Sequence, residues 1–195
     1  MRDNHDSRVE KLAKLGAVQI TGFIDKGTVD ELARVMLDFF LERRELILVL
    51  IFSNGGLLRP ALEIFDLLRL FPGRKIGLVF GKAYSAASII LQACDKRYAT
   101  PNSSILIHHG RCNEVNLDML HSEDKLNAFL KEERELSEHT YSIFVNRTGK
   151  SRDEICSLCL RNTPIFVKEA IEFGLIDEVW DKPLPFKPEE MFPKK

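Results

Sequence analysis

Apolar residues along this chain follow two rhythms, and their alternation predicts its elements. In Gly16–Ile24 they alternate with other residues until Gly22 and Asp25 interrupt, which reads as a strand. Val29, Leu32, Val35, Met36, Phe39 and Phe40 then recur at helical spacing, predicting a helix over residues 29–44 with Thr28 as its cap. Leu46–Phe52 is apolar without alternation, as in a parallel strand covered on both faces, and it stops at Ser53-Asn54-Gly55-Gly56. A helix is expected over residues 59–71, with Pro60 in its first turn and Pro72-Gly73 beyond its end. Residues 75–81 give another buried strand, 83–94 a helix, and 96–109 two short strands around Pro101-Asn102. From Leu117 to about 146 the sequence becomes long, charged and helical. Short helices at 151–160 and 166–174 and a strand at 175–180 follow. Strand and helix alternate, so the class is α/β with right-handed crossovers. No linker or repeat divides the chain, and residues 1–195 read as one domain with a peripheral Pro-rich tail at 181–195.

Composition narrows the function. With 28 Lys and Arg against 29 Asp and Glu there is no basic excess for phosphates, so no nucleic-acid partner is expected. The first twelve residues are charged and hold no apolar signal core. The longest apolar run has seven residues, and a membrane span needs about 20. A soluble cytoplasmic protein without a membrane partner is the expectation. Four scattered cysteines make no disulfide framework, and Cys156-x-x-Cys159 lacks the second pair that zinc would need. The adjacent His108 and His109 have no ligand partner at metal spacing, so neither metal nor cofactor is expected.

In a parallel sheet, ligands gather where strands end and helices begin. Two such points stand out, Ser53–Gly56 and Gly81–Ser85. Gly56 can aim its N–H into a cavity, and Ser85 with the Ala86 amide opens a helix. Two amides and a hydroxyl suit acyl transfer. A Gly-Gly pair also serves as a plain turn, and a serine at a helix start as a cap. His108 ends an apolar strand and is the candidate base, although a histidine there can equally be structural. The GxSxG elbow is absent, because Gly81 lies four positions before Ser85. On the long helical segment, Leu117, Leu120, Leu126, Phe129, Leu130, Leu136, Phe144 and Val145 form a stripe that a partner subunit would cover.

Six pieces in order carry a resemblance: ITGFID at 20–25, FSNGG with its following helix at 52–68, GKAYSAAS at 81–88, RYATPNSSILIHH at 97–109, residues 126–151, and EAIEFGLIDEVW at 169–180. Together they resemble the Clp protease proteolytic subunit of the crotonase-like superfamily, from about Gly16 to Trp180. The resemblance implies repeated β-β-α units with a protruding handle helix at about 117–146. It implies Ser85 as nucleophile, His108 as general base, and the Gly56 and Ala86 amides as oxyanion hole. It implies Asn162 as the third member of a Ser-His-Asn triad, where the family has an Asp. Asn54 replaces a Pro of the family pattern, and Ala86-Ala87 its Met-Gly.

The implied activity is a serine endopeptidase acting on peptides or unfolded proteins inside a homo-oligomeric ring or double ring, served by an ATP-driven unfoldase. This chain has no GxxxxGK[ST] loop of its own. Two alternatives are a catalytically weak or inactive ring subunit, which the Asn162 departure favours, and a crotonase-type acyl-CoA enzyme using the same pair of amides.

Overall fold

The computed structural model describes residues 2–110, 118 and 121–184. The charged N-terminal stretch, which the apolar pattern leaves unassigned, forms α1 (Arg2–Lys14). Strand β1 (Ala17–Ile24) leads into α2 (Lys26–Leu41). The cap of α2 is Asp25 rather than the expected Thr28. Asp25 Oδ1 accepts from the Thr28 amide at 3.1 Å, and Thr28 Oγ1 accepts from the Asp25 amide at 3.3 Å. Thr28 thus completes a capping box from the third helical position.

Strand β2 (Leu46–Gly56) is followed by α3 (Leu58–Leu70), β3 (Arg74–Tyr84) and the six-residue α4 (Ala86–Leu91). The expected continuation of α4 to Cys94 is a tightened end, in which Gln92, Ala93 and Cys94 each bond a carbonyl three residues back. Next come β4 (Lys96–Ala99), β5 (Ser104–Leu106) and the long α5 (Glu123–Thr148). The chain continues through α6 (Arg152–Arg161), β6 (Ile165–Phe166), α7 (Val167–Phe173) and β7 (Glu178–Val179). The first part of the expected handle, 111–117 and 119–120, and the tail at 185–195 lie outside the described residues.

The sheet runs β1-β2-β3-β4-β7, all parallel, so the α/β class is as the spacing predicts. Its middle explains why Leu46–Phe52 does not alternate. Ile47, Val49 and Ile51 pack into the larger core with Phe39, Ile64 and Ile90, while Leu46 and Leu48 pack on the other face with Ile76, Leu78 and Tyr98. The last expected strand is shorter than 175–180, because Asp177 turns inward onto the buried Arg97. Arg97 donates through a terminal guanidinium nitrogen to Asp177 Oδ1 at 2.6 Å, and its amide donates to Oδ2 at 2.7 Å. Gln92 Oε1 accepts from the other terminal nitrogen of the same guanidinium at 2.5 Å.

One irregularity positions the site. β3 pairs with β4 through Ile76–Val79 and then with β5 through Lys82–Tyr84. Its register against β2 also jumps, with Ile51 facing Val79 but Ser53 facing Ala83. The bulge is pinned by the buried Ser103, whose hydroxyl donates to Val79 O at 3.1 Å and accepts from the Gly81 amide at 2.9 Å. Thr100 Oγ1 supplies a third contact at 2.8 Å. The serine of the Pro-Asn-Ser turn therefore sets where β3 bends toward β5.

Candidate active site

Beyond that bend, β3 ends at Tyr84 and the backbone reverses at Ser85, with φ 53° and ψ −123°. A non-glycine residue in this region costs about 1–3 kcal/mol and persists only where its surroundings enforce it. Here the Ser85 amide donates to Leu106 O of β5 at 2.8 Å, and the Ser88 amide and hydroxyl both donate to the Ser85 carbonyl, at 2.9 and 2.6 Å. Ser85 occupies the N-cap position of α4, yet its side chain makes no capping hydrogen bond. The bland expectation for a serine at a helix start is therefore not met, and its hydroxyl is left for another use.

The end of β2 closes against this turn. A Cβ on Gly55 would lie 2.7 Å from Tyr84 O, 2.8 Å from Ser85 Cβ and 3.0 Å from the Ala86 nitrogen. Only glycine admits that approach, and φ of +99° requires it as well. The Gly55 amide is occupied, donating at 2.9 Å to Ser53 Oγ, which itself donates to Gly22 O at 2.6 Å. Gly56 pairs with Ile24, and Leu57 donates to Ile24 O at 2.8 Å, so the ladder's alternation turns the Gly56 N–H away from β1. The Ala86 N–H opens α4 and has no intrahelical acceptor. Gly56 thus follows the glycine that packs on the Ser85 turn, and Ala86 follows Ser85 itself.

His108 lies two residues past Leu106, the carbonyl partner of Ser85, and is half-buried. The two side chains are not hydrogen-bonded to one another. Instead His108 Nδ1 lies 2.6 Å from the main-chain oxygen of His109. His109 turns elsewhere, with Nδ1 2.7 Å from the Tyr141 hydroxyl on α5 and the two rings meeting edge to face.

The family model for Clp protease matches residues 2–183 of the chain. This chain belongs to the Clp protease family. That family is one of serine peptidases that act on peptides and assemble into rings, and the mixed α/β architecture with a mostly parallel sheet is the fold expected of it. Against the family's pattern, Asn162 is the position to examine. It stands at the C-cap of α6, exposed, with φ 46° and ψ 40°, and its amide donates to Cys159 O at 3.2 Å. Asparagine tolerates this left-handed conformation better than most residues. Among the described residues, its side chain makes no hydrogen bond to His108 or to any other group.

Two features of the site carry little signal in the sequence. Ser103 reads as a turn residue, although its hydroxyl fixes the bulge. Tyr141 is not among the residues that the sequence singles out on the charged helix, and only the fold brings it to His109. The Cys156-x-x-Cys159 pair is structural in setting. Cys159 is buried in α6, where desolvation pushes its thiol up to about 12, away from thiolate chemistry.

Proposed function

We propose that this chain is a serine endopeptidase in which Ser85 is the nucleophile and His108 its general base. Ser85 Oγ attacks the peptide carbonyl while His108 Nε2 takes its proton, and the Gly56 and Ala86 amides receive the negative charge on the carbonyl oxygen. His108 then returns the proton to the leaving amine, and water completes the cycle. The observation that carries the reading is the backbone of Ser85. It is held in a costly conformation by Leu106 and Ser88 while its hydroxyl makes no cap, as a strained nucleophile turn requires. Catalytic hydrogen bonds commonly tighten only when substrate arrives, so a Ser85–His108 pair not yet in contact is compatible with this role. Asn162, the position matching the family's Asp, makes no hydrogen bond to His108 among the described residues and is given no step.

The reading extends to assembly. Leu126, Phe129 and Leu136 on α5 are half-buried and Leu130 is exposed, whereas Phe144 alone of that helix is buried. A second copy of the chain in a ring or double ring would cover the rest, with an ATP-driven unfoldase delivering unfolded protein. A fluorophosphonate probe tests the chemistry. Labelling mapped to Ser85 by mass spectrometry, and lost in Ser85→Ala, is expected. An unlabelled protein in its assembled state would favour the inactive ring subunit instead.

A further inference from the structure

A general base of this kind must present a lone pair on Nε2, so its Nδ1 must hold the proton and be oriented by an acceptor. In this chain the acceptor facing His108 Nδ1 is the main-chain oxygen of His109, at 2.6 Å. A carbonyl oxygen can only accept, which fixes the neutral ring as the Nδ1–H tautomer. Asn162, exposed at its helix end, makes no side-chain hydrogen bond to the ring among the described residues.

A carbonyl one residue away orients a ring only if its own peptide is held. The peptide in question joins His109 to Gly110. Gly110 is exposed, and a Cβ placed on it would meet nothing within 4 Å, so neither a side chain nor packing at Gly110 resists its rotation. The restraint comes from the other side of the bond. His109 Nδ1 is 2.7 Å from the Tyr141 hydroxyl, and the rings sit edge to face at 5.9 Å. Tyr141 is itself braced, with the Arg152 guanidinium 5.2 Å from its ring centre and Arg152 bound to Glu138 through two donors. A chain of contacts therefore runs from α6 and α5 to the backbone beside the candidate base.

We propose that Tyr141 is a positioning residue, acting through His109 to hold the His109 carbonyl on His108 Nδ1 and so replacing the carboxylate that other serine peptidases use. This rests on the reading of His108 as general base. One consequence is that the seating of the long helix α5 is coupled to the competence of the site.

Tyr141→Phe is the test, since it keeps the ring under Arg152 and removes only the hydroxyl. For a small peptide ester, kcat is expected to fall about 10- to 100-fold with KM unchanged, less than the roughly 10⁴-fold that a wrong tautomer costs. Nitrogen-15 NMR of histidine-labelled protein should find His108 as the Nδ1–H tautomer in wild type and as a mixture with Nε2–H in Tyr141→Phe. His109→Ala should reproduce both effects, and His109→Gln, whose amide can still bond Tyr141, should restore part of kcat. Wild-type kcat in Tyr141→Phe, or a lower kcat with the His108 tautomer unchanged, overturns the proposal. If Ser85→Ala retains turnover, the peptidase reading fails instead, and the tautomer measurement still decides what Tyr141 does.

Discussion

Replacing Gly55 by alanine drives a methyl group into the turn that carries Ser85. The new Cβ would sit 2.7 Å from Tyr84 O, 2.8 Å from Ser85 Cβ and 3.0 Å from the Ala86 nitrogen. Carbon atoms prefer about 3.5–4.0 Å, so the turn must retreat by roughly 0.7 Å or more. A side chain at positive φ costs about 1–2 kcal/mol and overpacking about 1–3 kcal/mol, giving a total of about 2–5 kcal/mol. For a chain of this size each kcal/mol lowers Tm by about 2–4 °C, so a drop of about 4–20 °C is expected. Activity should suffer more, because a displacement near 1 Å can cost about 10²-fold in rate. Gly149→Ala is the control: φ there is also positive, at +71°, but the added methyl meets nothing within 4 Å. It should lose stability by the backbone term alone and keep full turnover. Calorimetry and ester hydrolysis on the three proteins decide the matter. A Gly55→Ala protein as active as Gly149→Ala would refute the packing of β2 on the nucleophile turn.

Two further outcomes follow from buried titratable groups. Burial works to raise the Asp177 carboxyl, but the hydrogen bonds and charge of Arg97 override it and hold the group below its ordinary 3.8. Its stabilising contribution is therefore complete above that value and is lost as pH falls through the lower folded-state pKa. Urea midpoints should drop in that acid range for wild type, and Asp177→Asn, which leaves Arg97 buried and unpaired, should be less stable by about 3–5 kcal/mol at neutral pH with a flatter acid response. Burial raises the Cys94 thiol from 9.0 to about 12, so the unfolded chain releases this proton first and stability should fall as pH rises above 9. In native protein at neutral pH, Cys94 should react with a disulfide reagent only as fast as the protein unfolds; prompt modification would contradict its burial.

Much of this fold is legible in the chain because burial dictates residue type. The unbroken apolar run at 46–52 reads as a strand covered on both faces, as Leu46–Ile51 are, and residues 29–40 keep the period of a helix with one apolar side. The turn at Ser85 is legible as a strand end before a helix of small residues, while the nucleophile role comes only from the family resemblance. Choices settled by competing local bonds are not. Asp25 and Thr28 both suit a helix start, and only the reciprocal bonds assign the cap to Asp25. Asn162 matches the family's Asp by count and also stands at a left-handed helix end that asparagine tolerates, and the sequence does not separate the two uses. Tyr141 and His109 lie 32 residues apart, and no periodicity relates them.

The most direct test of the central claim is turnover of a small peptide ester by Ser85→Ala beside wild type at equal concentration and assembly state. The Ser85 hydroxyl makes no hydrogen bond among the described residues, so its removal should change stability by less than about 0.5 kcal/mol. The account predicts complete loss of turnover with folding and assembly intact. Turnover persisting in that variant would contradict it.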